Sequence, residues 1–323
     1  MSLGLNRRWL VRQYNRMVTA LFLKAYNFRD PGQLHRIHRY QSALAESVPS
    51  RFVTDVLDGR KLVCFDVGAR GGVQGRFRRH RGACRFVLFE LDPEESARLE
   101  RAGFTVVDRI ADEHDDRVLD VYVTRRPGCA SIFEPPRGTI LKLYKSTSRH
   151  FEVVGTARQR TVSLKAVCQD LGVHIDYLKL DTQGGELRIL KGLGDERPLF
   201  IETEVSTIRL YKDQDTFFEL GDYLYKLGYM IIELRMFPRR PIVQDARFQT
   251  CRRYPAVGMP VAGDACFVPD WTRPEGRALM DGRLKPWAAL MMVNGCLEYL
   301  ALAMEDIAAS ETERIASVLE RIH

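Results

Sequence analysis

Between about residues 60 and 270, short apolar runs alternate with stretches whose apolar positions recur every three or four residues. The strand-like runs are 61–67, 85–90, 105–109, 118–124, 177–180, 199–204, 230–234 and 265–268. Helical patterns separate most of them. Short apolar strands alternating with helices predict a mostly parallel sheet covered on both faces, an α/β fold. The last two runs lie close to Gly228 and Gly263 and read as late, hairpin-like strands.

The two ends read differently. Residues 5–26 carry Leu10, Tyr14, Met17, Val18 and Leu21 at helical spacing, with arginines between them. Asp30-Pro31-Gly32 breaks this helix, and a second helical segment runs to about residue 50. From about Trp271 the chain turns helical again. Residues 287–304 are apolar on nearly every side, and Ser310 with Glu313 makes a capping box before a short amphipathic helix over 315–322. The organisation predicted is a basic helical extension over 1–50, a central domain over 51–270 and a helical C-terminal extension over 271–323. A helix apolar all round must be buried. Two arrangements satisfy that for 287–304: a homodimer interface, or packing under the N-terminal helices.

Charge sharpens the picture of the N-terminal arm. The 323-residue chain has a net charge of +7, and residues 1–50 hold eight Arg/Lys (among them Arg7, Arg8, Arg12 and Arg16) against Asp30 and Glu46, so +6 sits there. The pI near 9.1 therefore describes an arm, not a basic catalytic surface, which weighs against nucleic acid as partner. With Trp9, Leu10, Met17, Leu21 and Phe22 on the same segment, two roles stay open. The arm lies in the plane of an anionic membrane, or it docks on the protein's own core or a second subunit. The apolar stretch 17–23 is short and followed by Lys24, unlike a secretory signal, and no apolar run approaches the ~20 residues of a spanning helix. Seven scattered cysteines without a C-x-x-C pair argue against a disulfide framework or zinc site and fit a reducing cytoplasm. His35 and His38, three apart, lack neighbouring ligands, and no metal is expected.

Three segments carry candidate chemistry. Asp66-Val67-Gly68-Ala69-Arg70-Gly71-Gly72 takes an apolar strand into a glycine-rich turn, where a ligand can approach the backbone. Asp66 suits the ammonium of a methionine moiety. Arg70 stands at the middle glycine of G-x-G-x-x-G, so the dinucleotide fingerprint is absent. Phe86-Val87-Leu88-Phe89-Glu90-Leu91-Asp92 is a second strand ending in an acid, at the offset where a carboxylate grips ribose hydroxyls. Tyr177-Leu178-Lys179-Leu180-Asp181-Thr182-Gln183-Gly184-Gly185-Glu186 puts Asp181 just beyond a central strand, in the same crevice as Gly68 and Glu90. Glu186 falls in the first turn of the next helix, where a carboxylate also complements the helix dipole.

This last segment, with the 66–72 turn and the strand ending at Glu204, resembles the FkbM-type methyltransferases. Lys179, Asp181, Gly184, Glu186, Leu190, Lys191 and Gly192 match the family hallmark, and Thr161-Val162-Ser163-Leu164 before a helix also looks like it. The resemblance covers roughly 55–270. It implies a Rossmann-like class I methyltransferase fold, S-adenosyl-L-methionine (SAM) as donor and a hydroxyl oxygen as acceptor, in relatives linked to sugars, polysaccharides and natural products. Two departures stand out: the turn reads Gly-Ala-Arg-Gly-Gly, and Thr182-Gln183 occupies a place where an acid often precedes the glycine.

The cofactor-binding set expected is therefore Asp66, Gly68, Arg70, Gly71, Glu90, Asp92, Ile110, Ala111 and Asp112. The last three flank adenine by fold analogy. Methyl transfer needs an aligned acceptor, exclusion of water and a proton acceptor. Asp181 and Glu204 are the candidate bases, as strand-end carboxylates lining the crevice; His150 is an outside candidate. The arginines between Arg235 and Gly263 bind an anionic acceptor or are simply solvated. The expected function is O-methylation of a small-molecule or glycan acceptor by a cytoplasmic enzyme, with peripheral membrane contact through the arm. The alternatives are a membrane-associated scaffold that keeps the fold without catalysis, and a nucleic-acid methyltransferase. Against the latter, no Asn/Asp-Pro-Pro-aromatic motif follows Leu180, and Glu134-Pro135-Pro136-Arg137 comes too early.

Overall fold

The computed structural model describes residues 48–138, 140–144, 147–239, 245–248, 258–307 and 312–322. The basic arm, His35, His38, Cys251 and Ser310 lie outside the described residues. The main sheet is built from β1 (Leu62–Val67), β2 (Cys84–Phe89), β3 (Thr105–Val107), β7 (Tyr177–Leu180), β8 (Phe200–Ser206), β9 (Tyr229–Arg239) and β10 (Met259–Pro269). Its order is β3-β2-β1-β7-β8-β10-β9. The first five strands in that order are mutually parallel, and β10 runs antiparallel to both β8 and β9. Strand order reverses beside β1, the switch point at which open α/β sheets bind ligands outside the carboxyl ends of their strands. A smaller sheet of order β4-β6-β5 is made by β4 (Ile110–Ala111), β5 (Val118–Thr124) and β6 (Val153–Val162).

Strand alternation assigns side chains to the two faces. Leu62 and Cys64 of β1 and Phe86 and Leu88 of β2 enter one core with Phe52, Val53 and Val56 of α1 (Ser50–Leu57) and Leu99 of α2 (Pro93–Arg101). Phe65, Val67, Val87 and Phe89 enter the other, with α3 (Leu164–Leu171), α4 (Glu186–Lys191) and α5 (Phe217–Lys226). Local chemistry fixes the helix starts. Asp92 caps α2, accepting from the Glu94 and Glu95 N–H groups, and Ser163 caps α3. Thr216 and Glu219 form a capping box at α5.

The C-terminal helices are α6 (Pro274–Met280), α7 (Leu284–Val293), α8 (Leu297–Asp306) and α9 (Thr312–Glu320). The apolar stretch read as one helix over 287–304 is two, broken where Gly295 takes a positive φ of 74°. Trp287 through Val293 are fully buried, and α7 packs on α1, α8 and the turn Gly75–Ala83. Its apolar surface is thus covered by its own chain, and Trp271, Leu300, Ile315 and Val318 share its core with the sheet. Arg283 ties the start of α7 to the sheet. It donates to the Ile175 carbonyl at 3.0 Å and pairs with the fully buried Asp176, which also holds Arg60 at 2.8 Å and accepts from the Val63 N–H. Among the described residues no helix is long and apolar enough to cross a membrane.

Candidate functional site

The turn after β1 is shaped by a close backbone approach. Gly68 has a φ of +87°, and a Cβ there would sit 2.1 Å from the Asp181 carbonyl oxygen, so only glycine fits. Gly68 and Ala69 N–H groups both donate to the Phe89 carbonyl, which closes the turn against the end of β2. The ends of β1, β2 and β7 therefore converge on one spot.

A band of charged side chains crosses the sheet near this spot, on the face that also holds α1. Register pairs Asp66 with Lys179, Lys179 with Glu202, Glu202 with Cys266 and Cys266 with Glu233. Lys179 Nζ lies 3.1 Å from Asp66 and 3.7 Å from Asp181. Those two carboxylates outweigh the effect of burial and keep the lysine charged. Burial pushes the Asp66 carboxyl up, against the pull of Lys179. Glu202 is held by the Arg76 guanidinium, by the Tyr177 hydroxyl at 2.8 Å and by Arg235 at 3.3 Å. Burial raises the Glu202 carboxyl, but Arg76 and then Arg235 overcome it and hold it at about 2.

One step further toward the strand ends, Glu204 of β8 registers with Asp264 of β10, and Asp264 with Arg235 of β9. Asp181 follows Leu180, whose partner Thr203 precedes Glu204, so the two acids meet across adjacent strands. Asp181 is about half exposed (47%). Burial, and after it the charge of Asp181, push the Glu204 carboxyl well above its ordinary range. Burial likewise lifts Asp264 to about 6. Gln183 Nε2 donates to Asp181 Oδ1 at 3.1 Å and also to Glu204. Glu186 is buried and makes no hydrogen bond to this group, though its charge acts on Glu204. Its carboxylate folds back to accept from the Thr182 N–H at 2.9 Å, the Thr182 hydroxyl and the Gly184 N–H, which shapes the loop.

Beside the acids sits an aromatic cluster that includes Tyr144, Phe151 and Tyr211, with Tyr144 and Phe151 ring centroids 5.1 Å apart. Arg239 lies over the Tyr144 ring at 4.7 Å. Tyr211 hydroxyl meets both the Cys129 carbonyl and Gln183 Oε1. His150 lies in the short 3₁₀ turn Ser148–Phe151.

The family model described as "Methyltransferase FkbM domain" matches residues 66–231, just over half of the 323-residue chain. The chain belongs to this family. It is a SAM-dependent methyltransferase, and its sheet has the class I arrangement, with one antiparallel strand inserted between β8 and β9. No curated protein matches the FkbM chain significantly. Solved structures similar to it include magnesium protoporphyrin IX methyltransferase from Synechocystis PCC 6803 with bound SAM, at 11% identity and a TM-score of 0.33, covering 83% of this chain and 100% of that one. Another is 1,6-didemethyltoxoflavin-N1-methyltransferase from Burkholderia thailandensis, at 12% identity and a TM-score of 0.29, covering 80% of this chain and 89% of that one. A third is precorrin-6y C5,15-methyltransferase from Geobacter metallireducens, at 13% identity and a TM-score of 0.28, covering 68% of this chain and 88% of that one.

The residues at the strand ends of this FkbM methyltransferase fit a cationic sulfonium donor. The Gly68 turn brings the backbone ends of β1 and β7 together, and beside it the acids Asp66, Glu90, Asp181 and Glu204 cluster at the strand ends. Glu90 is buried at the end of β2, with Oε1 accepting from the Asp92 N–H at 2.9 Å. Other residues expected around the cofactor have additional structural engagements. Arg70 pairs with Asp92 at 3.3 Å, Asp92 caps α2, and the Gly71 N–H donates to Glu95. Ile110 and Ala111 are buried in β4, and Asp112 is fully buried in a bidentate pair with Arg188 of α4 at 2.7 and 2.9 Å. A Cβ at Gly192 would meet the Asp112 carbonyl at 2.2 Å, which gives the hallmark glycine a packing reason. Among the described residues no group of three or more His, Cys, Asp or Glu is arranged to hold a metal. Sequence reasoning did not single out Glu202, Asp264, Arg76 or Tyr211. For Glu202 a signal existed: it lies two residues before Glu204 on one strand, hence on the same face.

Proposed function

We propose that this FkbM methyltransferase methylates a hydroxyl oxygen of a small-molecule or glycan acceptor, with Asp181 receiving the hydroxyl proton. The observation that carries the reading is the pair of unlike carboxyls at the ends of β7 and β8. Asp181 is exposed and 3.7 Å from Lys179, while burial and then Asp181 raise the Glu204 carboxyl. Two carboxyls in contact share one proton. Asp181, the more exposed member of the pair, is the one placed to receive the hydroxyl proton.

When bound, SAM supplies an electrophilic methyl group on a sulfonium. The chain's own residues do the rest. Asp181 accepts the acceptor's proton as the new oxygen–carbon bond forms, and Lys179 anchors Asp181 at the strand end. Tyr144, Phe151 and Tyr211 form a buried aromatic core beside the acids, which keeps the loops around them packed. Glu90 grips the ribose, and Asp66, Gly68, Arg70 and Gly71 line the turn that receives the methionine moiety. Ile110, Ala111 and Asp112 support the adenine side through the strand β4, and Asp92 acts there by aiming Glu90.

The test is incubation of the purified protein with isotope-labelled SAM and glycan extracts, followed by mass spectrometry of the products. Label on an oxygen is expected; label on nitrogen or carbon overturns the hydroxyl assignment. Asp181→Asn is expected to keep its SAM affinity by calorimetry and to lose about 10²–10⁴-fold in turnover. Wild-type turnover in that variant excludes Asp181 as the base.

A further inference from the structure

Gln183 is held in place more firmly than a loop side chain needs to be. Its backbone takes φ +61°, a left-handed conformation that non-glycine residues seldom adopt outside functional sites. Ser131 Oγ donates to its carbonyl at 2.8 Å and itself accepts from the Phe133 N–H at 3.0 Å. The Tyr211 hydroxyl lies 3.0 Å from Gln183 Oε1. These contacts come from two separate segments, Cys129–Phe133 and the loop after β8, and the Asp181 carboxylate, which can only accept, sets which way the amide points. With Oε1 on the tyrosine hydroxyl, Nε2 faces the acids. Its two N–H groups go to different carboxyls, one to Asp181 and one to Glu204.

We propose that Gln183 is a positioning residue that bridges Asp181 and Glu204, fixing their mutual geometry and, by donating to both, favouring their charged forms. This rests on the assignment of Asp181 as base. The pair is faced by Lys179 from β7, Asp264 from β10, Glu186 from α4, and Cys129 and Tyr211 from the overlying loops. An acid at 183 would add a further carboxylate to this crowded group. The amide instead donates to two of its members, and it is planar, so it fixes the angle between them. The segments that pin the amide also belong to the buried aromatic cluster, so the amide is anchored to packed core and not to a free loop.

The test needs neither donor nor acceptor. In full-length protein carrying ¹³C-labelled side-chain carboxyls, the Glu204 signal is assigned by its loss in Glu204→Gln and titrated by NMR. Gln183→Leu removes the donor while filling the space, so the Glu204 midpoint is expected to rise by about one pH unit, because a hydrogen bond to the charged form is gone. Gln183→Asn suits the left-handed backbone but is one methylene too short to span both acids; a smaller rise is expected. A Glu204 midpoint unchanged in Gln183→Asn overturns the proposal, and should Gln183→Leu fail to fold, the asparagine variant alone decides. A merely structural role would lower the melting temperature and leave the titration where it was. SAM affinity by calorimetry is expected to match wild type within about twofold in both variants. Failure of the wild type itself to bind SAM would count against the proposed function, while the titration would still decide the role of Gln183.

Discussion

Glu90 has one carboxylate oxygen engaged by the Asp92 N–H, and its backbone N–H is tied to the Val107 carbonyl, so the side chain is aimed before any ligand arrives. Glu90→Ala is expected to weaken SAM binding by about 1–3 kcal/mol, the loss of a charged hydrogen bond. Calorimetry on the folded variant checks it, and unchanged affinity removes Glu90 from the ribose site. Asp264 carries a pH signature. Burial lifts its carboxyl to about 6, above the ordinary aspartate value, so the folded state binds the proton more tightly. That contribution to stability is complete below about pH 4 and is lost as pH rises through about 6. At pH 8, Asp264→Asn is therefore expected to be more stable than wild type by about 2 kcal/mol, with no gain at pH 4, read from urea unfolding at both pH values. Both roles depend on neighbours. Sequence spacing marks an acid at a strand end. Whether that acid faces a ligand, caps a helix as Asp92 does, or is consumed by an arginine as Asp112 is, depends on partners far away in the chain.

At the scale of elements, periodicity was a good guide wherever burial was one-sided or complete. The runs at 118–124 and 177–180 coincide with β5 and β7. It failed at β6, whose central residues Arg158, Gln159 and Arg160 are polar and largely solvent-facing, because that strand is held by pairing with β5 and not by burial. It also cut β9 and β10 short. Each runs for eleven residues, extended past its apolar stretch by antiparallel pairing between the two. The basic segment over 5–26 belongs to this scale as well. Its arginines beside apolar positions support contact with an anionic surface, each basic residue adding on the order of 1 kcal/mol. Co-sedimentation with anionic vesicles at low salt, reduced at high salt and absent with neutral vesicles, is the expected result. No binding at low salt with the arm intact excludes the membrane role.

At the scale of the molecule, the C-terminal helices complete one face of the sheet. Trp287, Leu290, Met291 and Val293 share a core with Phe52 and Val56 of α1 and with Leu62 and Cys64 of β1. A chain ending at residue 270 would expose this face. Burying one large apolar side chain is worth about 1.5–3 kcal/mol, and a whole domain is stable by only about 5–15 kcal/mol. The truncated chain is therefore expected to aggregate or to lose its cooperative thermal transition, whereas one ending at residue 306 retains it. Light scattering and circular dichroism distinguish the two. A soluble, cooperatively folding 1–270 fragment would mean that 271–323 is an extension after all.

The sequence by itself determined the alternation of strands and helices, the glycine turn after β1 and the acids at the ends of β1, β2, β7 and β8. Each of these is written locally, in apolar periodicity, in backbone freedom or in the hallmark that runs from Lys179 to Gly192. Tertiary structure alone decided which acids meet. Asp66 with Lys179 and Asp181 with Glu204 are joined by strand register, and Glu202 meets Arg76 of the Gly75–Ala83 turn, 126 residues away in the chain. It also decided that Gln183 faces two carboxyls, since its side chain is aimed by Tyr211 and its backbone by Ser131. Charge and hydrogen-bond partnership are properties of distance in space, and spacing along a chain fixes such distances only within a single helix or strand.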